Sequence, residues 1–136
     1  MKKLFVLAAL LVLPACESST DSNFVFQFQS NRLDQVPNPP IVTSAEVEGP
    51  GLISVAGGEV TPCFLDRIIL DGDKNGRTLT IIVRREASNP CDSTVRHHSW
   101  IAIFSALVPG QYHLRVVNRV DGGAGTVEYE TDLTVN

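Results

Sequence analysis

The sequence predicts an all-β protein, an antiparallel sandwich of seven or eight strands. Apolar and polar residues alternate with a period of two, and turn residues separate the alternating segments. Val, Ile and Thr, which favour extended structure, make up 31 of the 121 residues after position 15. Each predicted strand has one apolar face that needs a second layer to cover it. This favours a sandwich over a barrel.

Residues 1–15 have the pattern of an export signal. Lys2 and Lys3 precede an uninterrupted apolar run of ten residues, 4–13. As a helix this run would be roughly 15 Å long, half of a bilayer core, so it is too short to span a membrane. We therefore expect a signal peptide over residues 1–15.

The signal ends in Leu13-Pro14-Ala15-Cys16, which resembles the lipobox of bacterial lipoproteins. In that motif the cysteine is acylated and the preceding bond is cut, so the resemblance implies a palmitate-type lipid on Cys16. The alternative, an ordinary secretory signal, would leave Cys16 as a free thiol. If Cys16 carries lipid, the remaining Cys63 and Cys91 can pair in a disulfide.

Residues 16–23 are polar after the cysteine and predict a flexible tether. Lipoproteins with Asp directly after the lipidated cysteine are often held at the inner membrane. Glu17 stands there in this chain, so the resemblance implies delivery to the outer membrane. Two acyl chains would give stable attachment.

Residues 24–136 form one domain by length. Without residues 1–15 the chain has nine basic and fifteen acidic residues, a net charge of −6, and Lys74 is its one lysine. This charge argues against a nucleic-acid partner. Phe24, Phe26 and Phe28 alternate with polar or smaller residues in the first strand. Further strands are expected at 41–48, 52–56, 64–70, 78–85, 97–104, 111–119 and 126–135.

The last two strands are expected to pair. Tyr112, Leu114 and Val116 form one face of the first, and alternate residues from Val127 to Val135 form one face of the second. On the reverse faces, Arg115 and Arg119 would lie near the acidic row of Glu128, Glu130 and Asp132.

The stretch 107–116 has a Pro-Gly turn followed by Tyr-x-Leu-x-Val. It resembles bacterial Ig-like and fibronectin-III-like domains, which implies an Ig-like sandwich in which the Tyr112 hydroxyl bonds to nearby backbone. Cys63 and Cys91 lie beside Pro62 and Pro90, so their disulfide is expected to join two loops.

A calcium loop is the strongest apparent chemical motif. Residues 71–76 match the first six positions of an EF-hand, with Asp71, Asp73 and Asn75 as oxygen ligands. The twelfth position is Ile82 instead of Glu, and no helix is predicted on either side. A polar hairpin tip is therefore favoured, with a weak calcium site as the alternative.

The three histidines do not predict a metal site. His97 and His98 are adjacent and would point to opposite faces of a strand, while His113 belongs to another strand. We expect them at the surface. Trp100, Phe104 and Tyr129 are interpreted as core residues rather than as a ligand patch.

The sequence contains no catalytic motif, so we predict no catalytic residues, no cofactor and no enzyme activity. The favoured function is a non-catalytic binding or structural module, anchored in the membrane, with an envelope protein or a glycan as partner. The alternatives are a protease inhibitor, using the proline-containing segment 31–40, or a hydrolase with its working residues on loops.

Overall fold

The computed structural model describes residues 23–119 and 123–136, and within these ranges it contains eight β-strands and no helix. The all-β class with seven or eight strands predicted from the sequence is therefore confirmed. The predicted signal peptide and most of the tether, including Cys16, lie outside the described residues. The strands are β1 (Val25–Leu33), β2 (Ser44–Gly49), β3 (Leu52–Thr61), β4 (Arg67–Asn75), β5 (Thr78–Glu86), β6 (Arg96–Ser105), β7 (Gly110–Arg119) and β8 (Thr126–Val135).

The strands form two four-stranded sheets, in the orders β1-β6-β3-β2 and β4-β5-β7-β8. Five of the six strand pairs described are antiparallel, but β5 and β7 are parallel. The expectation of purely antiparallel sheets is wrong at this pair. The chain leaves β5, forms β6 in the other sheet and returns as β7 in the original direction. This departs from the antiparallel sheets of an Ig-like sandwich.

The core lies between the sheets and is built by strict alternation. On β5, Leu79, Ile81 and Val83 are buried, while the residues between them face outward. Trp100 and Phe104 are buried in the core and Tyr129 packs against it, as expected from the sequence. Removing these apolar side chains from water supplies the main stabilising term, about 25 cal/mol per Å² of buried apolar area.

Two glycines inside a strand make room for large side chains of neighbouring segments. The sequence places the end of the third strand at Gly57-Gly58, yet β3 continues to Thr61. A Cβ atom on Gly57 would overlap the indole of Trp100, and one on Gly58 would meet Ile41 Cβ at 2.8 Å. These glycines therefore serve close packing within a strand instead of a turn.

The tyrosine feature of the Ig-like resemblance is present. Tyr112 is buried, and its hydroxyl donates a hydrogen bond of 2.9 Å to the Val108 carbonyl. Arg77 lies over the same ring, with its guanidinium carbon 4.9 Å from the centroid. These contacts fix the turn between β6 and β7 against the core.

The predicted pairing of the last two strands is confirmed with two corrections. The first is that Arg119 lies beyond the paired residues, which end at Asn118 opposite Thr126, so only Arg115 lies by the acidic row. Arg115 Nε donates to Glu130 Oε1 at 3.0 Å on the outer face, and His113 Nδ1 lies 2.8 Å from Asp132. The second correction is that the register shifts between Val116 and Val117, so that Val127 pairs with Val117 on the outer face. A bulge at Glu128 thus removes Val127 from the inner face and takes Glu128 out of the acidic row.

Candidate functional site

One end of the sandwich is cross-linked by a disulfide. Cys63 lies between β3 and β4, Cys91 lies between β5 and β6, and the two are bonded with their Cα atoms 5.2 Å apart. The predicted disulfide between two loops is therefore present. We call the part of the molecule formed by loops 34–43, 62–66 and 87–95 the disulfide end.

Asp66 is the buried centre of the disulfide end. Its side chain is fully buried, and Oδ1 accepts hydrogen bonds from the Ser88 backbone N–H at 2.6 Å and the Ser88 hydroxyl at 2.9 Å. Oδ2 lies 3.9 Å from Arg85 Nε. Burial by itself raises the pKa of Asp66, but the Ser88 bonds and the attraction of Arg85 outweigh it and hold the pKa below its usual value.

A second carboxylate, the exposed side chain of Asp92, links loops 62–66 and 87–95 by hydrogen bonds. Asp92 Oδ1 accepts the backbone N–H of Phe64 at 2.9 Å and that of Thr94 at 3.1 Å. These two bonds lower the pKa of Asp92. The disulfide, Asp66 and Asp92 therefore make three independent links between the loops, which limits how far either can move.

His98 is buried, so the expectation of surface histidines is wrong for this residue. It lies on the inner face of β6, in line with Trp100, whereas His97 faces outward as predicted. The Thr61 hydroxyl lies within hydrogen-bond distance of two groups, His98 Nε2 at 3.0 Å and the Cys63 carbonyl at 3.3 Å. Burial and then the positive charge of Arg32 lower the pKa of His98.

A cleft of about 290 Å³ opens between the edges of the two sheets beside these groups. Its size is near the lower limit of roughly 300 Å³ for small-molecule sites. Asp66 and His98 lie within it, and Asp66 Oδ2 accepts no hydrogen bond from the described residues. The polar residues lining the cleft are Ser30, Arg32, Asp66, Arg67, Glu86 and His98.

The chemistry of the cleft suits hydrogen bonding more than proton transfer. Asp66 is a weak base because its pKa is lowered, and His98 uses Nε2 to hold Thr61. The Ser30 hydroxyl donates to the Ile68 carbonyl at 3.1 Å. The arginines offer donors and the carboxylates offer acceptors, an arrangement that matches a ligand with both kinds of group.

Two arginines stack on one aromatic ring at the mouth of the disulfide end. The guanidinium carbons of Arg32 and Arg96 lie 4.7 Å and 4.3 Å from the centroid of the Phe64 ring. Such contacts are worth about 0.5–1 kcal/mol each at exposed sites. Sequence reasoning missed this cluster, since Arg32, Phe64 and Arg96 come from three segments that are distant in the chain.

A second groove, of about 210 Å³, lies between the proline segment and the ends of β3 and β6. Val36, Pro37 and Pro40 line one side, and Val60 and His97 line the other. The predicted inhibitory segment 31–40 is thus divided between strand β1 and the loop that follows it. Residues 31–33 belong to β1 and pair with β6, so they are not available as an exposed loop.

The most exposed large apolar side chains of the described residues are concentrated at the disulfide end. Five of them are 57% to 77% exposed, and all five lie in its loops or at the adjoining strand ends. Clusters of exposed apolar side chains mark interaction sites more often than isolated ones do. They are Val36, Val42, Val60, Leu65 and Val95.

The calcium loop is not formed. Asp71, Asp73 and Asn75 lie on the outer face of β4, an extended strand, and only Gly76 and Arg77 form the turn. Asp71 is bonded to Arg84 Nε at 2.7 Å. Among the residues of the two described ranges, no three His, Cys, Asp or Glu side chains form a metal-binding group.

In residues 23–119 and 123–136 no helix is long and apolar enough to cross a membrane. Comparisons with protein-family models, with curated proteins and with solved structures find no match to this chain.

Proposed function

We propose that the protein is an exported lipoprotein, anchored through Cys16, that acts as a non-catalytic binding module of a bacterial cell envelope. Its partner is an envelope protein or a glycan. The lipobox-like sequence before Cys16 and the polar run after it support the anchor. The resemblance implies the outer membrane as its location.

The observation that carries the binding role is the grouping of exposed apolar side chains at the disulfide end. These side chains lie on loops that the disulfide and the bonds of Asp66 and Asp92 hold in place. Loops ordered before binding lose little conformational entropy when a partner docks. Arginine stacked on an aromatic ring, as at Phe64, is also a common feature of interface centres.

The anchor is tested by metabolic labelling with radioactive palmitate. The wild-type chain should take up label and remain with the membrane fraction, and Cys16→Ser should do neither. Ser18→Ala, a change two residues away in the tether, should behave like the wild type. A wild-type chain that is exported without label would refute the anchor.

The binding end is tested by photo-cross-linking in cells. A photoreactive phenylalanine analogue at Val36 or Leu65 should give a discrete adduct with a partner. The same analogue at Val108, an exposed apolar position at the opposite end, should give none. Adducts of equal yield at all three positions would argue against a binding surface at the disulfide end.

A further inference from the structure

Each sheet has two edge strands among the described residues, β1 and β2 in one sheet and β4 and β8 in the other. The outer side of an edge strand has backbone N–H and C=O groups with no strand beside them. Another strand can pair with these groups, and proteins usually prevent this with charges, bulges, prolines or short strands.

Three of the four edges have such protection. β2 has six residues, two exposed glutamates and an irregular register between Val47 and Gly49. β4 carries Asp71, Asp73 and Lys74, and β8 combines its bulge with acidic residues on the outer face. A second strand pairing with any of them would meet charge or a broken ladder.

β1 lacks these protections over its first seven residues, and its one charged residue, Arg32, is next to last in the strand. It pairs with β6 in regular register over all nine residues, and its first seven, 25–31, include no charge and no proline. Phe28, in the middle of this stretch, is 43% exposed although it lies on the inner face of the sheet. Residues 25–31 therefore form a regular, uncharged stretch of edge with a partly exposed aromatic ring at its centre.

We propose that β1 pairs antiparallel with β1 of a second copy of this chain, which joins two four-stranded sheets into one of eight strands. The two-fold axis of this dimer passes beside Phe28, so residues 25–31 of one copy lie opposite residues 31–25 of the other. Phe28 then lies opposite Phe28 of the second copy, and Gln27 lies opposite Gln29. No like charges face each other in this register.

The charge of the protein favours this edge over the others for self-pairing. The chain after residue 15 has a net charge of −6, and self-pairing of β8 would bring acidic residues of both copies together. At β1 the aromatic rings would instead bury one another, and the strands would gain backbone hydrogen bonds. In such an antiparallel pair the two disulfide ends point in opposite directions, so both stay open to a partner. The inference goes beyond the proposed function and does not depend on which partner binds.

The test is sedimentation equilibrium of the detergent-extracted, full-length protein in a density-matched detergent, over a wide range of protein concentration. The wild type should approach twice the protomer mass at high concentration and return to one protomer on dilution. Phe28→Lys places two charges opposite each other and should abolish the dimer. Ile101→Lys, an exposed change of the same kind one strand inward, should keep the dimer.

A second variant removes the dependence on Phe28, which also packs near Phe26 with ring centroids 6.3 Å apart. Gln27→Lys with Gln29→Lys changes only exposed side chains and should give monomers with unchanged secondary structure. A wild type that stays monomeric at every concentration overturns the proposal, even if another protein is then found on β1. So does a double-lysine variant that dimerises as strongly as the wild type.

Discussion

At the scale of single residues, two carboxylates at or next to the disulfide end are partly or fully buried, although a charged carboxylate is more stable in water. Glu59, near the end of β3, accepts a hydrogen bond of 3.1 Å from Asn118 Nδ2 across the sandwich. Burial, and then repulsion from Glu128, raise the pKa of Glu59 to about 7. The bulge that takes Glu128 out of the acidic row therefore changes how Glu59 titrates.

This raised pKa gives a testable dependence of stability on pH. The folded chain keeps the Glu59 proton up to about pH 7, while the unfolded chain releases it near 4.5. The free energy of unfolding should therefore fall as the pH rises from about 4.5 to about 7 and then level off. Glu59→Gln should flatten this part of the profile, measured by urea unfolding at pH 5 and pH 8. An equally steep loss in the variant would contradict the assignment.

Asp66 should contribute with the opposite sign. Its lowered pKa means that its contribution is present above its ordinary pKa of 3.8 and is lost as the pH falls through the folded-state value. Asp66→Asn removes the buried negative charge that accepts two hydrogen bonds from Ser88 and should lower the free energy of unfolding at pH 7 by about 1–3 kcal/mol. Asp73→Asn, at an exposed position, should change it by less than about 0.5 kcal/mol. Equal effects of the two substitutions would refute the structural role of Asp66.

At the scale of elements, β1 packs on β4 of the other sheet through the Ser30–Ile68 hydrogen bond and through Phe26. Phe26 of β1 packs directly over Gly72 of β4, and its ring centroid lies 5.1 Å from that of Phe104. Gly72→Ala would place a methyl group inside the Phe26 ring and should lower the free energy of unfolding by about 1–3 kcal/mol. Gly49→Ala, where a Cβ atom meets nothing within 4 Å, is the matched control. Thermal unfolding of both variants measures the difference, and equal melting temperatures would show that the sheets do not meet as described.

The disulfide joins the β3–β4 loop to the β5–β6 loop, and these loops run between two pairs of hydrogen-bonded strands. Cys63 and Cys91 are 28 residues apart, and closing a loop of that size is worth about 3.5 kcal/mol in the chain-entropy account. Replacing both cysteines with alanine should lower the urea midpoint accordingly, and dithiothreitol should have no further effect on that variant. If reducing agent leaves the wild-type midpoint unchanged, the link does not stabilise the fold.

At the scale of the whole molecule, alternation and turn residues predict the fold class well. They place most strands to within a few residues, and aromatic composition foresees the core role of Trp100. The hydroxyl bond of Tyr112 is what the Ig-like resemblance implies. Both signals are local in sequence, because the period of two and the Pro-Gly turn act over a few positions.

The features that sequence patterns miss depend on contacts between distant segments. The parallel pairing of β5 with β7 depends on which strand lies beside β5. Apolar and polar residues alternate in the same manner in parallel and antiparallel pairs, so the sequence does not distinguish them. The Gly57-Gly58 pair is typical of a turn in sequence, but in the structure Gly57 lies within β3 and provides space for Trp100. The burial of Asp66 likewise follows from how loops meet at one end, and no local motif marks it. His98 shares a strand face with Trp100 by alternation, but the sequence does not show that this end of the strand is covered.

The central proposal is that this sandwich is held on a bacterial envelope by lipid on Cys16. The most direct measurement is mass spectrometry of the N-terminal peptide of the mature protein isolated from cells. We expect a peptide that begins at Cys16, lacks residues 1–15 and carries the added mass of acyl chains. A free thiol at Cys16 in the exported protein, or a chain cut elsewhere, would contradict the account.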